Sequence, residues 1–217
     1  MKRRDLLIFD LDGTLIDSKR DLTDSVNATR AWKDLPPLPD DIVSAYVGNG
    51  ASMLIRRALP HLNDEDHSEA HKFFLKYYRD HMLDATTLYP GVRAALDRLR
   101  AESVPMAILT NKPVKFSVHL IDGLRLSEHF FRIYGGNSFA EKKPDPVGIE
   151  TLIAESNADR GLTVMVGDSA VDIKTARNAN VQACGVSWGF QPETFEHAPP
   201  DYIIDDLGTL ANKVLAG

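Results

Sequence analysis

The feature that most constrains this chain is the apolar run Leu6-Leu7-Ile8-Phe9, which stops abruptly at Asp10-Leu11-Asp12-Gly13-Thr14. A short continuous apolar run reads as a strand buried on both faces, and such strands belong to parallel sheets covered by helices on each side. The strand therefore delivers two carboxylates, flanking one residue, at its C-terminal end. Gly13 permits the sharp turn that must follow.

Similar runs recur at Met106–Leu109, Ile133–Tyr134, Thr163–Val166, Ala183–Val186 and Tyr202–Ile204. Most are separated by helical patterns. Val92, Leu96 and Leu99 share a helix face after Pro90, a favoured first-turn residue, Leu152–Glu155 lies in a second helix, and Ile173, Ala176 and Ala179 mark a third. Alternation of this kind predicts an α/β fold with a Rossmann-like parallel sheet core.

One region breaks the alternation. Between about Asp17 and Thr86 no strand pattern appears. Leu22, Val26 and Thr29 line one helical stripe, Leu35-Pro36-Pro37-Leu38-Pro39 interrupts it, Ile42–Tyr46 forms a short helix, and Val47-Gly48-Asn49-Gly50 turns the chain. Two further helices are marked by Met53, Leu54 and Ala58 and by Phe73, Phe74, Tyr77 and Tyr78. The expectation is a discontinuous core, residues 1–16 and 86–217, with an inserted α-helical cap domain at 17–85. The four aromatics serve the cap interior, its seam with the core, or a dimer surface; monomer and homodimer both stand.

Composition excludes some functions. The net charge of −6 offers no basic face for nucleic acid. The basic start Met1-Lys2-Arg3-Arg4 precedes an apolar run too short for a signal peptide, and nothing approaches the roughly 18–20 apolar residues of a membrane span. A soluble cytoplasmic protein is expected. The one cysteine, Cys184, reads as a buried strand residue. His67 and His71 have metal-ligand spacing without a third ligand, so an exposed helix face is expected for them.

The chemistry lies in four places. Asp10 and Asp12 repel each other unless a cation or shared proton intervenes. Hard oxygen donors with no His or Cys nearby favour magnesium over zinc. Asp168 and Asp172, in Gly167-Asp168-Ser169-Ala170-Val171-Asp172, again follow an apolar strand and open a helix. Asp168 or Ser169 can be an ordinary N-cap, or the pair can complete an oxygen site with Asp10 and Asp12. Thr110-Asn111-Lys112 ends another strand, either as a helix cap or as a phosphate cradle. Lys143 stands in Lys142-Lys143-Pro144-Asp145-Pro146, as a solvated lysine or as a fixed cation stiffened by prolines.

Taken together, Asp10-Leu11-Asp12-Gly13-Thr14, Thr110, Lys143-Pro144 and Gly167–Asp172 resemble the four ordered motifs of the haloacid dehalogenase superfamily, over essentially the whole chain. The insert is similar to that superfamily's helical cap. The resemblance implies that Asp10 attacks phosphorus and becomes an aspartyl-phosphate, and that Asp12 protonates the leaving oxygen and later takes a proton from water. It implies Mg2+ held by Asp10, the Asp12 backbone carbonyl and Asp168, supported by Asp172, with Thr110, Asn111 and Lys143 on the phosphoryl group.

An acid at Asp12 favours phosphate esters over the dehalogenase and phosphonate-cleaving branches. Tyr46-Val47-Gly48-Asn49-Gly50-Ala51, followed by Arg56 and Arg57, is similar to the cap of phosphoglycolate phosphatases. That similarity implies 2-phosphoglycolate as substrate, with Asn49, Arg56 and Arg57 as candidates for reading its carboxylate. For each arginine, a solvated cap face is the other reading. The alternatives are action on a sugar phosphate, nucleotide or pyrophosphate, as phosphatase or phosphomutase, and a phospho-receiver signalling module. The receiver reading is opposed by Asp12 and by the insert.

Overall fold

The computed structural model describes residues 6–216; the basic segment at residues 1–5 lies outside them. The chain enters on β1 (Leu6–Phe9) and β2 (Ile16–Asp17). It then runs through α1 (Lys19–Trp32), α2 (Asp40–Tyr46), α3 (Ala51–Ala58) and α4 (Asp64–His81) before returning on β3 (Thr87–Leu88). From there helices and strands alternate as α5 (Val92–Ala101), β4 (Met106–Leu109), α6 (Val114–Gly123), β5 (Arg132–Tyr134), α7 (Val147–Ser156), β6 (Thr163–Gly167), α8 (Ala170–Asn178) and β7 (Gln182–Val186), after which a short 3-10 turn at Pro192–Glu196 leads to β8 (Tyr202–Ile204) and α9 (Leu207–Leu215).

Among the described residues the main sheet has six strands in the order β5-β4-β1-β6-β7-β8, every pairing parallel. β1 is central because both its faces are apolar. Leu7 and Phe9 pack into the core on one face and Leu6 and Ile8 into the core on the other, all fully buried. The alternation thus yields the expected α/β sandwich, with the C-terminal ends of β1, β4 and β6 side by side.

The short strands β2 and β3 pair antiparallel, Ile16 with Leu88 and Asp17 with Thr87. They tie together the two chain crossings between core and helical cap. Asp21, 2% exposed, locks the same crossing: its carboxylate accepts from the Ala85 N–H at 2.9 Å, the Thr86 N–H at 2.8 Å and the Thr86 hydroxyl at 2.7 Å. A buried carboxylate needs such donors.

Two local expectations change. α5 begins at Val92 after the left-handed N-cap Gly91, so Pro90 precedes the cap instead of standing in the first turn. His67 does not sit on an open face: it is 5% exposed, while His71 is half-buried. Position 67 falls on the stripe that continues through Ala70, Phe74 and Tyr78, and that stripe faces the cap interior. The aromatic group divides by the same geometry. Phe74 and Tyr78 point inward, while Phe73 stacks on Trp32 and Tyr77 on His81 outside. Cys184 is fully buried on β7, where burial pushes its thiol up to about 12. No helix among the described residues is long and apolar enough to cross a membrane.

Candidate active site

Asp10 follows the last residue of β1, and its N–H donates to Val166 O at 2.9 Å. Asp168 and Asp172 follow β6, Thr110 follows β4, and Lys143 lies on the loop before α7. Parallel strands of similar length bring these loops to one sheet edge. Asp10, Asp168 and Asp172 each place a carboxylate oxygen within 4.8 Å of the others, all three buried.

Lys143 sits beneath this cluster, 4% exposed. Its Nζ donates to Asp172 Oδ1 at 2.6 Å and lies 3.0 Å from Asp10 Oδ1. The Asp10 oxygen has this charge beside it, yet no hydrogen bond is directed at it. Asp172 also accepts from the Ser169 hydroxyl at 2.8 Å and the Ser169 N–H at 3.2 Å, so it caps α8 as well as facing Lys143. Asp168 Oδ2 accepts from the Phe190 N–H at 2.7 Å. Small residues make room for it: a Cβ on Gly13 (φ +79°) or on Gly189 would overlap the Asp168 side chain.

The electrostatics of the cluster are unbalanced. Burial raises the Asp10 carboxyl to about 6, with Lys143 opposing and Asp172 adding to the shift. Burial, then the charges of Asp172 and Asp10, hold Asp168 well above the ordinary carboxylate range. Burial disfavours the Lys143 ammonium, but Asp10 and Asp172 more than offset it and its value rises. Three crowded carboxylates facing one lysine, with an Asp10 oxygen lacking a hydrogen bond, fit a hard divalent cation.

Asp12 belongs to a different set. Its carboxylate takes both Lys112 Nζ contacts, at 2.9 Å and 2.7 Å, and the Ser18 hydroxyl at 2.5 Å. Lys112 is 7% exposed. Burial opposes its charge, but Asp12 and Tyr78 outweigh that effect and raise its value. Thr110 Oγ1 accepts from the Lys112 N–H at 3.3 Å. The Asn111 amide bridges core and cap, donating to Lys143 O at 3.0 Å and to Gly48 O at 2.9 Å.

Two more core side chains hold the same cap loop. Lys142 Nζ donates to Asn49 O at 2.7 Å. Gln191 Nε2 lies 2.9–3.1 Å from the carbonyls of Ser44, Ala45 and Val47, at the end of α2. Between cap and core lies a cavity. Asp10, Asp12, Thr110, Asn111, Lys112 and Asp168 line it from the core, and Leu22, Val47, Leu54, Phe74 and Tyr78 from the cap.

Asn49, Arg56 and Arg57 do not line this cavity. Arg56 pairs with Asp64 at 3.0 Å on the cap surface, half exposed. Arg57 donates to Tyr46 O at 2.9 Å and to Asn49 Oδ1 at 2.7 Å, which spends both side chains on holding the cap loop. Val47, Gly48, Gly50 and Ala51 are the parts of that loop that reach the cavity, with Gly48 and Gly50 at φ +102° and +86°. Sequence reasoning placed none of the Lys112, Ser18, Tyr78 or Gln191 side chains at the site, and gave Tyr78 only a packing role. Lys112 adjoins a motif already singled out, but spacing alone does not tell where a flexible ammonium goes.

A parallel sheet that gathers carboxylates and lysines at one edge, beneath a helical cap held on by core side chains, defines a capped α/β enzyme. A family profile described as haloacid dehalogenase-like hydrolase matches residues 7–186. The phosphoglycolate phosphatase of Chromobacterium violaceum is 39% identical, with 88% of each chain covered. That of Vibrio cholerae is 35% identical over 99% of each. A crystal structure described as a predicted phosphoglycolate phosphatase from Haemophilus somnus superposes with a TM-score of 0.93 at 29% identity, covering 98% of this chain and 99% of that one. The chain belongs to the haloacid dehalogenase-like hydrolases.

Proposed function

We propose that this protein hydrolyses 2-phosphoglycolate to glycolate and phosphate with Mg2+, through an aspartyl-phosphate at Asp10. The observation that carries the reading is the division of labour between two acids one residue apart. Asp10 lies in the crowded carboxylate cluster, and Asp12 is held apart from it by Lys112 and Ser18. The names of the similar phosphatases support the substrate.

In the first step a carboxylate oxygen of Asp10 bonds to phosphorus as the bond to the ester oxygen breaks. Asp12 supplies the proton that leaves with glycolate. In the second step water attacks the same phosphorus, Asp12 takes its proton, and the acyl-phosphate bond breaks to release phosphate and restore Asp10. Thr110, the Asn111 backbone and Lys143 position the phosphoryl group, which is most of what phosphoryl transfer requires. Asp10, the Asp12 carbonyl and Asp168 would hold Mg2+, with Asp172 fixing Lys143 and the α8 terminus behind them. Bound there, the cation supplies the positive charge that lets a phosphoryl dianion approach three carboxylates.

The test is phosphate release from a panel of small esters with Mg2+. The reading expects the highest kcat/KM for 2-phosphoglycolate over sugar phosphates, nucleotides and pyrophosphate. Preference for another ester would remove the substrate, and transfer to a sugar acceptor in place of water would make the enzyme a mutase.

A further inference from the structure

Lys112 is the one cation among the described side chains that line the cavity. An ammonium has three N–H donors. Two contacts go to Asp12, and what faces the ammonium otherwise is the Tyr78 ring, 4.7 Å away. The Tyr78 hydroxyl is itself buried and has no hydrogen-bond partner. Lys112 and the hydroxyl are close enough to influence each other's charge.

An unpaired buried hydroxyl carries a desolvation penalty that an arriving acceptor relieves. Here a charged donor and a neutral donor meet at one cavity, lodged between apolar cap residues such as Leu54 and Phe74. A group that satisfies both is acceptor-only, anionic and small, with two oxygens: a carboxylate. Without Lys112, that carboxylate would confront Asp12 with no intervening positive charge.

We propose that Lys112 and the Tyr78 hydroxyl read the carboxylate of the substrate, so that the cap contributes specificity through a tyrosine on α4 and not through Asn49, Arg56 or Arg57. The inference rests on the 2-phosphoglycolate reading and assigns its recognition site. Packing fixes the Tyr78 ring in place. It stacks with Phe74 at 5.7 Å and meets Phe116 edge-on at 5.6 Å, contacts that a phenylalanine would keep.

The experiment compares kcat/KM for 2-phosphoglycolate with that for ethyl phosphate, which replaces the carboxylate by a methyl group. It uses wild type, Tyr78→Phe, Lys112→Met and Lys112→Arg, each with its melting temperature measured. Tyr78→Phe is expected to lower the ratio about 10- to 100-fold, the loss typical of a hydrogen bond to a charged group. Lys112→Met should lower it at least as far, and Lys112→Arg should restore part. If both esters lose rate together and the ratio holds, these residues serve phosphoryl transfer and the inference falls alone. If wild type itself shows no preference between the esters, the 2-phosphoglycolate reading falls and takes the inference with it.

Discussion

Lys143 reaches Asp172 at 2.6 Å with both side chains closed to solvent, 2% and 0% exposed. Such a pair is held by its surroundings, and removing one member leaves an uncompensated charge. Lys143→Met is expected to lower stability by about 3–5 kcal/mol, because Asp10, Asp168 and Asp172 then face no lysine. Urea denaturation measures it. The same variant should lose phosphatase activity, and a wild-type denaturation midpoint would show that the cluster needs no lysine.

Gly13→Ala tests the space reserved for Asp168. Gly13 has a φ of +79°, and its Cβ would strike the Asp168 carboxylate. The left-handed backbone costs about 1–2 kcal/mol for an L-residue, and Asp168 must move. The expected result is a folded protein whose melting temperature responds to Mg2+ only at concentrations at least tenfold higher than wild type needs. An unchanged response would separate Asp168 from cation binding.

The raised Asp10 carboxyl sets a pH dependence. Its value in the folded protein is about 6, against an ordinary 3.8. A folded state that binds the proton more tightly than the unfolded state loses stability as pH rises through that window. The cation-free protein should therefore lose stability between roughly pH 4 and pH 6 on account of this group, and Asp168 acts in the same direction. A divalent cation takes over the proton's role, so the melting-temperature gain from Mg2+ should grow across the same window. A gain independent of pH would contradict the assignment of Asp10 as a ligand.

Gln191→Leu tests the hold on the cap. Removing the amide leaves the carbonyls at the end of α2 without the donor that ties them to the core. A KM increase of about three- to tenfold is expected with little change in melting temperature, as befits a residue that acts on closure of the lid. A fall in kcat at unchanged KM would place Gln191 in the chemistry instead.

The core was legible because its strands are continuous apolar runs that end in polar residues. Leu6–Phe9 and Thr163–Val166 show strand, edge and site loop in a few letters each. The insert was legible as helices because its apolar residues recur at helical spacing. What the sequence did not show is where long side chains finish. Arg57 looks like a ligand for an anion, yet it is committed to Tyr46 O and Asn49 within the cap. Lys112 looks like a neighbour of Thr110, yet its ammonium crosses to Asp12, a hundred positions away in the chain. His67 departs from expectation for the same reason: a polar residue on a helix suggests an exposed face, while the stripe it shares with Phe74 and Tyr78 turns it inward.

The central claim is that Asp10 carries the phosphoryl group. The most direct measurement uses Asp12→Asn, which slows the attack of water, with para-nitrophenyl phosphate, whose leaving group needs no proton, in the presence of Mg2+. After acid quenching, mass spectrometry of the peptides locates any phosphoryl group. The account predicts one phosphoryl group on Asp10 and none when Asp10→Asn is added. Phosphate on another residue, or turnover that survives Asp10→Asn, would contradict it.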